Sequence, residues 1–284
     1  MVTVYIDASQ PHWFVSRKLL GRVTGANLAP SLRRYNALEV GSALVPYLIQ
    51  TSRAGEVAGV TPLFDSASGC ETFAQRVIRF EPGHSDERSP EEADEVLFVL
   101  EGEGELVAGE SRSRLAPGMG AFVPAGTAWR ASSDGDGLLA ILSVLVPEPS
   151  GSPDGRRPSV MSIADAELAG ATAARRFQLG ATPEVGCESA TQFLGYIPPG
   201  RAPDHFHRYD EVVYVLGGEG MLHIDGEEPE PIGPGSCVHL PARLVHCLEN
   251  TGSEEMTVLG VFRPAGSPAE AYYPDGRLAA AAEH

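Results

Sequence analysis

His205 and His207 stand two residues apart within GRAPDHFHRYDEVVYVLGG (200–218). Side chains on an extended strand alternate between faces, so both imidazoles would point the same way. Glu211 opens the run EVVYVL, whose β-branched and aromatic content reads as a strand. Two imidazoles and a carboxylate can therefore converge from adjacent strands. Downstream, GPGSCVHLPARLVHCLEN (233–250) supplies a further candidate, His246, just past a Pro-bearing turn. Neutral imidazole nitrogens and a carboxylate oxygen suit Fe(II), Mn(II), Co(II), Ni(II) or Zn(II).

The neighbours of these residues fix the character of a pocket around them. Val213 and Val215 share the face of Glu211, which makes the interior apolar there. Tyr214, and Phe206 between the two histidines, face away. Arg201 and Arg208 flank the ligand strand, and Arg243 sits in the turn before His246. An arginine so placed can hold a substrate carboxylate with two parallel hydrogen bonds, and Arg201 and Arg243, with Val213, Val215 and His239, are the substrate-binding candidates. His239, two strand residues before Pro241, is a further candidate beside the site, whereas His223 reads as structural. No Ser-His-Asp arrangement, phosphate-cradling glycine loop or dinucleotide fingerprint is present, and GEGEL and GGEGM read as hairpin turns.

An internal repeat supplies the elements that must position these residues. CETFAQRVIRFEPG (70–83) matches CESATQFLGYIPPG (187–200), and EVLFVLEGEGELVAGE from Glu95 matches EVVYVLGGEGMLHIDGE from Glu211. LAPGMGAFVPAGTAW (115–129) matches IGPGSCVHLPARLVH (232–246), at an offset of 116 or 117 throughout. Two copies of one all-β unit follow. The copies differ chemically, because Ser89, Glu91 and Trp129 stand where the second has His205, His207 and His246. The first copy has thus lost three of four candidate ligands, and its acidic loop HSDERSPEEADE reads as solvated. Trp129 is expected to fill the mouth of the first copy.

The chain divides into 1–148, a first unit with an N-terminal extension and no metal; 149–182, a linker; and 183–284, the metal-binding unit. VTVYIDA and ALVPYLIQ in the extension read as strands that add to a barrel, while LAPSLRRYNALEV is compatible with a short helix. His12 and Trp13 read as packing residues. The Pro, Gly and Ser of VPEPSGSPDGRRPSV mark a surface linker. SIADAELAGATAARR, with Ser162 or Asp165 as N-cap, predicts a short connecting helix. The tail after Phe262 is Pro-interrupted and ends in an Ala-rich stretch.

With 284 residues, 43% of them hydrophobic, the chain can bury one large or two ordinary cores. Its 38 acidic residues against 21 basic ones give a net charge of -17, which speaks against nucleic acid and anionic membranes as partners. A small anionic substrate remains compatible, since a bound cation and one or two arginines dominate the field inside a pocket. No apolar run is long enough to span a bilayer and no signal-peptide layout opens the chain, which predicts a cytoplasmic location. Cys70, Cys187, Cys237 and Cys247 form no Cys-x-x-Cys pair and read as free buried thiols.

The pattern from Gly200 through His205, His207 and Glu211 to Gly218 resembles the first motif of the cupin superfamily. Gly235, Pro241, His246 and Asn250 resemble the second, with Arg243 where that motif usually has Gly. This resemblance implies two tandem double-stranded β-helix (jelly-roll) barrels, with a metal held in the second by His205, His207, Glu211 and His246. The layout is similar to that of the (S)-ureidoglycine aminohydrolase-like bicupins, but that group has a different ligand order, so its activity does not carry over. One divalent transition metal per chain is expected, Fe(II) or Mn(II) before Zn(II), Ni(II) or Cu(II). The resulting expectation is an oxidoreductase of dioxygenase type acting on a small chelating metabolite, with Glu211 also able to serve as a base. A metal-dependent hydrolase or isomerase of a ureide, keto acid or sugar, or a non-catalytic binding protein, are the other readings. Paired barrels of this kind imply a homodimer.

Overall fold

The computed structural model describes residues 4–7, 32–40, 43–50, 57–84, 87–149 and 156–279. His12 and Trp13 lie outside them. Among the described residues the structure is built from strands, and the helical elements are four 3₁₀ turns of three residues each. Two of these, Ile163–Asp165 and Thr172–Ala174, occupy the segment expected to form the connecting helix. Ser162 gives the first no side-chain cap. The Ala-rich composition favours helix only weakly, and strand pairing on either side of each turn overrides it. The helix expected in 28–40 is likewise corrected, since Leu32–Val40 is a strand.

Each repeat builds one barrel from a large sheet and a three-stranded sheet. In the first, Ala93–Glu101 lies between Met119–Val123 and Leu139–Pro147, and the latter pairs with Ala74–Phe80. In the second, Asp210–Gly217 lies between Ser236–Leu240 and Met256–Arg263, and the latter pairs with Thr191–Ile197. Alternation on Asp210–Gly217 sends Val213 and Val215 into the interior of the second barrel. Val212 faces the other way, into a core shared with Phe64, Phe73 and Phe122 of the first barrel.

The strand that precedes each barrel crosses to the other. Ala43–Gln50 pairs with Ser236–Leu240 of the second barrel, so the extension grouped with the first unit completes the sheet of the second. Ser159–Ser162, from the linker, pairs with Met119–Val123 of the first. Each crossing strand covers backbone that an open sheet edge would leave unpaired.

Two aspartates fasten the crossing symmetrically. Thr72 Oγ1 of the first barrel donates to Asp210 Oδ2 at 2.9 Å, and Ser189 Oγ of the second donates to Asp94 Oδ2 at 2.5 Å. The other oxygen of each aspartate accepts from the backbone of its own barrel, Ala242 N for Asp210 and Ala125 N for Asp94. Asp94 also binds Arg156 of the linker. All four cysteines are buried and free, and burial pushes the Cys70 and Cys187 thiols up to about 12 and about 11.

Candidate metal centre

His205, His207 and His246 come together at one end of the second barrel, with one ring nitrogen of each within 4.8 Å of the others. His205 and His246 are joined by a β-bridge, His205 N donating to His246 O at 3.0 Å and His246 N to His205 O at 2.8 Å. His207 lies beyond the bridge, where its carbonyl accepts from Arg243 N at 2.7 Å. Arg243 takes a φ of 68°, the left-handed backbone that glycine adopts without cost, at the turn where glycine is usual.

Each ring is turned by a backbone carbonyl. Nδ1 of His205 donates to Pro203 O at 2.9 Å, that of His207 to Glu270 O at 2.8 Å, and that of His246 to Leu244 O at 2.9 Å. A carbonyl can only accept, so all three Nδ1 atoms carry the proton and all three Nε2 atoms present lone pairs. Tyr209 stacks on His207 at 4.6 Å and on Phe262 at 4.0 Å, which fixes the His207 ring plane. Burial pushes His207 down to about 3 and His246 well below its usual value, so the rings stay neutral.

Glu211, 5% exposed, brings Oε2 to 4.0 Å from His207 Nε2. Burial drives its carboxyl up to about 8, against the pull of the nearby Arg175 charge. The room for this carboxylate comes from Gly260, where a Cβ would meet the Phe193 ring at 2.2 Å and Glu211 Oε1 at 3.0 Å. These groups line a cavity of about 80 Å³ with Val213, Leu240 and Val258.

The residues fit a divalent ion. Histidine nitrogens bind such ions at about 2.0–2.1 Å, which puts opposite ligands about 4.2 Å apart. The 4.8 Å spread of the trio is within small ring movements of that. Three lone pairs facing one cavity, with no hydrogen-bond donor of the described residues reaching them, are what a cation satisfies.

The remaining sequence candidates fall into three groups. Val213 lines the cavity, while Val215 is in the barrel core deeper down. Arg201 and Arg243 are corrected: both side chains are exposed and neither lines the cavity, and Arg201 is spent on Asp204 at 2.8 Å. His239 is also corrected. Val238 and Leu240 face the interior, so alternation turns His239 outward against Phe64, with ring centroids 5.7 Å apart. Both His239 nitrogens are buried without a hydrogen-bond partner among the described residues. Three contributors were missed: Tyr209, the Glu270 carbonyl and Arg175. Arg175 lines the cavity from the linker, on a stretch whose alanines obscured its extended backbone.

The matching place in the first barrel is filled. Glu95, in register with Glu211, accepts from Arg76 Nη2 at 2.9 Å, Trp129 Nε1 at 2.7 Å and Ser143 Oγ at 2.5 Å. Trp129, where the second barrel has His246, is 1% exposed within that barrel's core. The register expected from the repeat is corrected by one residue: Arg88 bridges Trp129 as His205 bridges His246, while Ser89 and Glu91 hydrogen-bond each other at the surface.

A double jelly-roll with a histidine trio in one barrel defines a class before any comparison is made. Residues 76–145 and 193–262 each match the family model described as a Cupin domain. The chain carries two cupin domains and is a two-barrel cupin. It is similar to L-ectoine synthase from Aliivibrio fischeri and from Vibrio atlanticus, at 33% identity over 72 residues in each case, 25% of this chain. The chain spans about half the length of these curated relatives, 56% of each. Among solved structures, a glyoxylate-induced protein from Pseudomonas aeruginosa aligns with a TM-score of 0.62 at 20% identity, covering 73% of this chain and 81% of that one. A variant of Bacillus subtilis oxalate decarboxylase aligns at 0.65 and 12% identity, covering 83% and 81%. At these identities the two structures speak for the fold.

Proposed function

We propose that the protein is a mononuclear-metal enzyme acting on a small chelating metabolite, with His205, His207, His246 and Glu211 as the ligands and dioxygen-dependent oxidation as the reaction. What carries this reading is the set of three carbonyl-anchored imidazoles whose free nitrogens face one another beside a buried carboxylate. When bound, a redox-active divalent ion supplies a centre at which a chelating substrate and O₂ can react, and Lewis acidity toward a substrate oxygen. The chain's own residues do the rest. Val213, Leu240 and Val258 keep the cavity wall apolar, and the carbonyl anchors keep the rings from turning as ligands exchange. Similarity to proteins named as a synthase supports catalysis over storage.

One observation favours a second reading, a metal-dependent hydrolase or isomerase. Glu211 stands apart from the tight histidine trio and holds a proton to about pH 8 when no ion is present. A carboxyl so placed can shuttle a proton to substrate. The test is anaerobic reconstitution with Fe(II), Mn(II) or Zn(II), metal analysis, and an oxygen-uptake screen over small acids and phenols. Oxygen consumption with Fe(II) or Mn(II), absent in His207→Ala, supports the first reading. Turnover under argon with Zn(II) supports the second, and no metal uptake by any form sinks both.

A further inference from the structure

Arg175 and Arg176 both line the cavity, and Arg175 is the one that neither metal binding nor an ion pair uses. Its Nη2 donates to Leu248 O at 2.6 Å and lies 3.8 Å from Cys247 Sγ, beside the ligand His246. No carboxylate of the described residues forms an ion pair with it, whereas Arg76 and Arg156 each have one. The next residue, Arg176, is spent on Glu255. The backbone pays to turn Arg175 inward, because Ala173 and Ala174 both take a φ of 57°, costly for a residue with a Cβ. A guanidinium always carries its charge and offers a planar fork of donors matched to a carboxylate.

We propose that Arg175 receives a carboxylate of the substrate and selects small dicarboxylates, whose second carboxylate reaches the histidine trio. This rests on the metal reading above. A divalent ion with three neutral imidazoles and an ionised Glu211 leaves one positive charge, and Arg175 makes two. A dianion is the ligand that balances them. The cavity's small size limits the linker between the carboxylates to a few atoms.

The experiment measures malonate and its uncharged analogue malonamide by calorimetry on zinc-loaded protein, with zinc content determined separately. Wild type should prefer malonate by at least about tenfold, Arg175→Gln should lose that preference with zinc content unchanged, and Arg175→Lys should recover part of it. A purely structural Arg175 would weaken both ligands alike. Unchanged malonate preference in Arg175→Gln overturns the proposal. Failure of wild type to take up zinc instead overturns the metal reading, and Arg175 is then judged by the same comparison on metal-free protein. If Arg175→Gln does not fold, malonate must shield Arg175 of wild type from phenylglyoxal, as mapped by mass spectrometry; equal modification with and without malonate overturns it.

Discussion

Each histidine of the trio is anchored by a carbonyl from a different stretch of chain, and this makes the trio sensitive to single changes. His207→Ala should remove metal from purified protein, while His239→Ala, on the outward face of its strand, should leave metal content unchanged; elemental analysis of both decides it. The sign of the pH response follows from burial. Glu211 is raised from 4.5 to about 8, so native protein without metal binds a proton that the unfolded chain has released. Stability from this group is complete below about pH 4.5 and falls by about 1.4 kcal/mol per pH unit until about pH 8. Metal-free Glu211→Gln should therefore gain on wild type between those limits, and urea titrations at pH 5 and pH 8 should show the difference growing. His207 works in the opposite sense. Lowered from 6.5 to about 3, it withdraws stability as pH falls through that window.

Legibility at this scale was uneven. That His205, His207 and His246 come together was readable from the close spacing of the first two and from a repeat whose other copy lacks all three. Arg175 was not, because two left-handed alanines carry it into the cavity and no local pattern announces such a turn. His239 was misplaced although parity against Val238 and Leu240 could have excluded it.

The elements are held by polar anchors as much as by their apolar faces. Asp94 is fully buried and accepts from Ser189, Ala125 and Arg156, whereas Asp210 has Thr72 and Ala242 but no arginine among the described residues. Asp94→Ala strands a buried guanidinium and should cost about 3–5 kcal/mol. Asp210→Ala should cost about 1–3 kcal/mol, and chemical denaturation would rank the two. At Gly260, a serine would repeat the first barrel's Ser143 but collide with Phe193 and Glu211. Gly260→Ser should lower metal affinity by at least about tenfold, as read by competition with a chelating dye. The strands themselves were largely legible from β-branched runs and turn residues. The absence of the linker helix was not, since composition there pointed one way and long-range pairing the other.

At the scale of the whole molecule, the two barrels are joined by exchange. No helix among the described residues is long and apolar enough to cross a membrane. Sequence alone grouped the extension with the barrel that follows it, because proximity along the chain is the default and only pairing reveals the crossover. Deleting residues 1–56 should therefore injure the second barrel, giving lower metal retention and aggregation through the bared Ser236–Leu240 edge. Light scattering and metal analysis of that truncation would show it.

The exchange of strands also means that neither barrel is a complete structural unit by itself. Each half lends the other a structural part, so the chain is in effect a covalent partnership between two copies of one unit, one holding the histidine trio and the other supplying support. Neither can be cut away without baring an edge of its sibling's sheet.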